Sequence, residues 1–171
     1  MAAIPASQVP NTPPPGKAMV VFMRPSLIGS ALKSPVFDVS VEPPVLVGIV
    51  SAKKKVAYIT DPGVKRFMVV DLAEKAEFMD ATLLAGKTYY ACIIPRIGLW
   101  LGRFSFEPIG QAVTDKKLDD DLADTSWVAN TPASFEWAQV HAQSIQAKQD
   151  EYLQPWLDEP DKPTLYAADG R

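Results

Sequence analysis

The chain has 171 residues, 47% of them hydrophobic and 22% charged, with a formal net charge of −3. That is the size and balance of one globular domain with appendages, long enough to bury a sizeable core. The acidic balance argues against a nucleic-acid binder, and no stretch approaches the roughly 20 apolar residues that a membrane helix needs.

Residues 1–16 hold five of the 16 prolines and read as a proline-rich flexible arm. Proline fixes φ and donates no ladder hydrogen bond, so little packing is expected there. A polar start of this kind also resembles the spacer behind a secretory cleavage site. The expected location is the periplasm or cell envelope if a signal precedes Met1, and the cytoplasm otherwise.

Residues 17–112 alternate short apolar runs with turn chemistry, the pattern of an antiparallel β-sandwich of about eight short strands. Strands are expected over 18–24, 36–41, 45–50, 55–60, 64–72, 77–84, 88–95 and 99–107. The first breaks into Arg24-Pro25-Ser26 and the small pair Gly29-Ser30, a sandwich corner at which Arg24 would pair with an edge carboxylate. Pro43-Pro44 blocks ladder pairing and forces a connection. Lys53-Lys54-Lys55 reads as a solvated hairpin tip.

Asp61-Pro62-Gly63 has type II turn chemistry, and Ala85-Gly86-Lys87 places glycine where a left-handed residue joins two strands. On the last strand Trp100, Gly102, Phe104 and Phe106 share a buried face, while Arg103, Ser105 and Glu107 share a wet one.

The string GKAMVVFMRPS, then GSA, Val47-Gly48, Asp61-Pro62-Gly63 and LLAGKTYY resembles a bacterial family of unknown function. Its members look like small secreted or lipid-anchored β-sandwich proteins related to PEGA-type domains. Here Glu42-Pro43-Pro44 stands where the family pattern has Asp-Gly, and Lys65-Arg66 where it has a histidine. The resemblance spans roughly residues 16 to 95 and implies a fold and a location, with no activity attached.

Residues 113–131 form an acidic linker, expected as a loop with one or two helical turns. Residues 132–157 read as an amphipathic helix, with Thr131 as N-cap and Pro132 at the first helical position. Phe135, Ala138, Ala142, Ile145, Tyr152 and Trp156 make its apolar stripe, and Pro155 is expected to end or kink it near Leu153. At 1.5 Å per residue the helix outruns a six- to eight-residue strand, which leaves part of the stripe for a partner. Residues 158–171 read as a loose tail.

Candidate chemistry is sparse. Cys92 is the single cysteine and His141 the single histidine, too few for a disulfide or a histidine-based metal site. A Cys92–His141 pair would need the helix to dock over the seventh strand, whereas Cys92 alternates with Tyr90 and Ile94 as an ordinary core residue. Asp119, Asp120, Asp121 and Asp124 lack the alternation and glycine of a calcium loop and read as solvated.

The function expected is therefore a non-catalytic interaction or structural module of the cell envelope, with no cofactor. It would bind a protein partner, or itself, through Phe135, Ile145, Tyr152 and Trp156. The alternative is a small-ligand, glycan or peptide-binding sandwich using Arg24, Tyr89 and Tyr90.

Overall fold

The computed structural model describes residues 1–70, 75–97 and 102–171. Trp100 and the ends of the strands expected over 64–72 and 99–107 therefore lie outside the described residues. Two mixed sheets pack face to face, with helices over both outer surfaces. The strands, in chain order, are β1 Ala2–Ala3, β2 Ala18–Arg24, β3 Ser34–Asp38, β4 Val45–Val50, β5 Lys54–Thr60, β6 Gly63–Val70, β7 Ala76–Leu83, β8 Thr88–Ile97, β9 Gly102–Pro108, β10 Ser126–Ala129 and β11 Thr164–Leu165. The helices are α1 Asp115–Ala123, α2 Pro132–Val140 and α3 Ala142–Leu157.

One sheet has the order β1-β10-β5-β2-β8-β9 and the other β11-β7-β6-β3-β4. The expectation of purely antiparallel sheets needs correction: β2 pairs in parallel with β8, β10 with β5, and β11 with β7. The tight turns explain why. Gly63 (φ +124) and Gly86 (φ +77) take the left-handed backbone that their turns require, but each joins strands of different sheets. Crossing between layers lets distant strands meet side by side in either sense.

The core lies between the sheets. Val20 and Phe22 of β2 meet Phe67 of β6, with Phe106 of β9 against Phe22 at a ring separation of 5.8 Å. Phe104 and Phe106 are buried as their alternation predicts, and Glu107 is exposed. β2 is buried at every position because α1 covers Met23 on its other face, while Met19 and Val21 lie beside the N-terminal arm, Leu122 and Trp127. Met23, Cys92, Ile109 and Leu118 form that second apolar layer.

A third layer joins α2 and α3 to the outer face of β3, β4, β6 and β7. The single helix expected over 132–157 is two, divided at His141 (φ −98, ψ 3), and Pro155 is carried inside the last turn of α3. Thr131 and Pro132 take the expected N-cap and first helical positions, with the Ser134 hydroxyl accepting from the Thr131 N–H at 3.2 Å. The division separates the stripe between neighbours: α3 packs on β7 and β6, α2 on β4. The length mismatch is thereby absorbed within the domain.

The two termini are integral parts of the sheets. The arm contributes β1, antiparallel to β10, and Ile4 N–H donates to the Trp127 carbonyl at 3.1 Å. The tail crosses one end of the sandwich. Leu165 is fully buried in the core, while Arg171 exchanges backbone hydrogen bonds with Thr88 on the other sheet at 2.9 and 3.0 Å. Gly170 lies so close to Tyr89 that a Cβ there would come within 2.8 Å of its ring. Each segment looked loose because its anchors are isolated residues in polar surroundings.

Leu165→Ala should lower unfolding free energy by about 2–4 kcal/mol, measured by urea titration, as for other buried leucines. A change of about 0.5 kcal/mol or less would mean that the tail is not part of the core.

Candidate functional site

Arg24 ends β2 on the face it shares with Val20 and Phe22, so its side chain enters the space between the sheets. It is fully buried. The expected carboxylate partner is absent among the described residues. Instead Nη2 donates to the carbonyls of Ile28 (2.8 Å) and Gly29 (2.6 Å), and Nη1 to the Leu32 carbonyl (2.7 Å) and the Ser34 hydroxyl (3.3 Å). The guanidinium also lies over the Phe104 ring at 4.6 Å.

Burial pushes the guanidinium below its ordinary value, yet arginine stays charged at any working pH. A charge kept in so dry a place needs acceptors, and the loop of residues 25–33 supplies three of the four, Ser34 of β3 the other, while Nε is left without a partner among the described residues. The loop's carbonyls therefore point inward, which leaves Leu27 (63% exposed) and Ile28 (54%) displayed on its surface. Gly29 (φ +66) makes the reversal that aims its carbonyl at Arg24.

The lysine run is not a solvated tip. Lys53, in the left-handed region at φ +60, pairs with Asp124, and Lys54 donates to the Ser126 hydroxyl at 2.8 Å. Lys55 is buried and donates to the carbonyls of Leu122 and Thr125, beyond which Trp127 stacks at 4.8 Å. An ammonium at a helix C-terminus faces the negative end of the helix dipole, so the run fastens α1 and β10 to the sheet. Three of the four aspartates are paired: Asp124 with Lys53, and Asp120 and Asp121 with Lys116 and Lys117 one turn earlier on α1.

Of the residues expected to bind a partner, Ile145 and Trp156 are buried against the protein's own sheet, at 2% and 3% exposure. Trp156 packs on Phe78 and lies under the Arg66 guanidinium at 5.2 Å, while Tyr152 joins the same layer. The stripe is thus spent on intramolecular contact. Phe135 alone of the four remains half exposed.

The alternative ligand set is likewise dispersed. Tyr89 is wholly buried, accepting from Leu84 N–H at 2.9 Å and donating to the Ala167 carbonyl at 3.2 Å. Tyr90 takes the opposite face, half-buried beside Leu122 and Trp127.

Cys92 and His141 lie on opposite outer faces of the sandwich. Cys92 sits under α1, and burial with nearby Asp121 pushes its thiol up to about 12, so it is not a ready nucleophile. His141 stacks on Trp137 and its Nδ1 lies 2.7 Å from that residue's carbonyl.

One polar cluster escaped the sequence. Asp38, 1% exposed, accepts from the Tyr58 hydroxyl at 3.0 Å and the Ser40 N–H at 2.9 Å, with Lys65 Nζ at 3.5 Å. Burial first, then the Asp38 charge, pushes Tyr58 up to about 12. The signal available was a carboxylate inside an apolar strand, Val36-Phe37-Asp38-Val39. The apolar pair Leu27-Ile28 within a turn was a similar signal for the exposed loop.

Two outcomes test this geometry. Arg24→Lys keeps the charge but loses the fork, and should cost about 2 kcal/mol while hydrogen exchange rises across residues 28–32. Unchanged exchange there would show that the loop is held by something else. For Tyr58, the unfolded phenol ionises near 10 and the folded one near 12. Between these values the unfolded state binds fewer protons, so stability present below pH 10 is lost as pH rises to 12. Urea stability of Tyr58→Phe should fall less steeply than wild type over that window.

Comparison with family models returns no match, and comparison with curated proteins returns none.

Proposed function

We propose that the protein is a non-catalytic interaction module whose contact surface is the apolar loop held by Arg24, extended by the exposed rim of α2. The observation that carries this reading is the display of Leu27 and Ile28 on a loop whose backbone acceptors are committed to a buried cation. A loop ordered in advance loses little entropy on binding, so exposed apolar side chains on it contribute more of their burial to affinity. Phe135 (50% exposed) and Val140 (75%) add apolar surface on α2. Neighbouring exposed apolar side chains such as Leu27 and Ile28 are the kind of surface that marks interaction sites.

The non-catalytic part rests on how the reactive groups are used. Cys92 is buried with a raised thiol pKa, and the Nδ1 of His141 is engaged by the Trp137 carbonyl. The stripe proposed to meet a partner shrinks to Phe135, since Ile145 and Trp156 serve the fold. Placement in the bacterial cell envelope rests on the sequence resemblance to PEGA-related sandwiches.

The test is capture by the immobilised full chain from an envelope fraction of the source organism, with self-association followed by sedimentation. Wild type should hold a defined partner, or a second copy. The double variant Leu27→Ser, Ile28→Ser should lose it while melting within about 2 °C of wild type, because both positions are exposed. Equal retention by the variant sinks the loop as the contact surface.

A further inference from the structure

Two clefts flank α2, and both rest on the β3–β4 hairpin. The first, about 450 Å³, touches Pro35 and Ile49, which face each other across the two strands. The second, about 420 Å³, touches Phe37 and Leu46, the next such pair along the outer face. α2 stands between them, with Ala133 and Trp137 on one flank and Phe135, Ala138 and Gln139 on the other. Both volumes lie in the range of small-molecule sites.

Their charge is distinctive. The chain has 20 Asp and Glu residues, yet no carboxylate lines either cleft among the described residues. Among the described residues the second cleft has no charged side chain. The first has one, Lys33, which makes no ion pair or hydrogen bond among the described residues, and beside it the Met1 amine donates to the Ser134 hydroxyl at 2.9 Å. Several other lysines are committed to carboxylates: Lys17 to Asp61, Lys53 to Asp124, Lys65 to Asp38. Lys33 thus adds an unpaired cation to a wall that joins the apolar side chains of Leu32, Pro35, Ile49 and Trp137 to the Met1 amine and the Ser134 hydroxyl.

We propose that the first cleft binds a small amphipathic carboxylate, its anionic head on Lys33 Nζ and its apolar body against Leu32, Pro35, Ile49 and Trp137. Acyl chain and headgroup are recognised by different parts of the site: the chain by burial, the head by charge. An acidic or zwitterionic protein surface would not discriminate in this way, and a neutral alkane would leave Lys33 unanswered. The site does not depend on the partner-binding reading, since Leu27 and Ile28 do not line it.

Calorimetric titration of the full chain with octanoate, and with octan-1-ol as a neutral chain of equal length, tests this. Octanoate should bind saturably at one site and octan-1-ol at least about tenfold more weakly. Lys33→Glu should weaken octanoate about tenfold without affecting octan-1-ol, and Ala133→Trp, which fills the cleft, should weaken both. Lys33 and Ala133 are exposed, so both variants keep the fold. Absence of saturable octanoate binding, octan-1-ol binding as tightly, or octanoate binding unchanged in either variant would overturn the proposal.

Discussion

A guanidinium shut between two sheets without a carboxylate constrains everything around it. Arg24 must be answered by four acceptors, and three are backbone carbonyls of one short loop. That requirement fixes the path of residues 25–33, the left-handed turn at Gly29, and the entry of the chain into β3 on the opposite sheet. It also closes one end of the core, with the Phe104 ring against the cation. The exposed Leu27 and Ile28 are the outward consequence of carbonyls that point inward.

The same economy recurs wherever layers meet. Several junctions are fastened by a polar side chain that reaches backbone groups, a hydroxyl or one opposite charge. Lys55 ties α1 to the six-stranded sheet, Asp38 joins β3 to Tyr58 across the core, and Arg66 holds Asp80 while covering Trp156. Asp169 fixes the tail, accepting from the N–H groups of Gln111 and Tyr166. Burial of apolar surface supplies the bulk of the driving force, but it is non-directional. These polar contacts select which of several similar packings is adopted.

Much of the β-rich part was legible because period and turn chemistry are local. The apolar run Ala18 to Met23 was legible as a strand, and β2 is one; that both of its faces are covered was decided by the packing. Alternation put Phe104 and Phe106 inside, and Thr131-Pro132 marked a helix start. The helix stripe was also read correctly as apolar, but its destination was not. Periodicity reports that a face must be covered and is silent on whether the cover is the same chain. Ile145 and Trp156 found theirs on β6 and β7.

The sequence by itself determined the types of the longer elements, the glycine turns and most of the apolar side chains that had to leave water, since these depend on neighbours within a few residues. Only the tertiary structure decided strand partners and direction, the burial of Arg24 without an acid, the division of the helix at His141 and the docking of both termini. Those outcomes depend on contacts between residues such as Leu165 and the distant sheets, or Lys55 and the end of α1, which no local window contains.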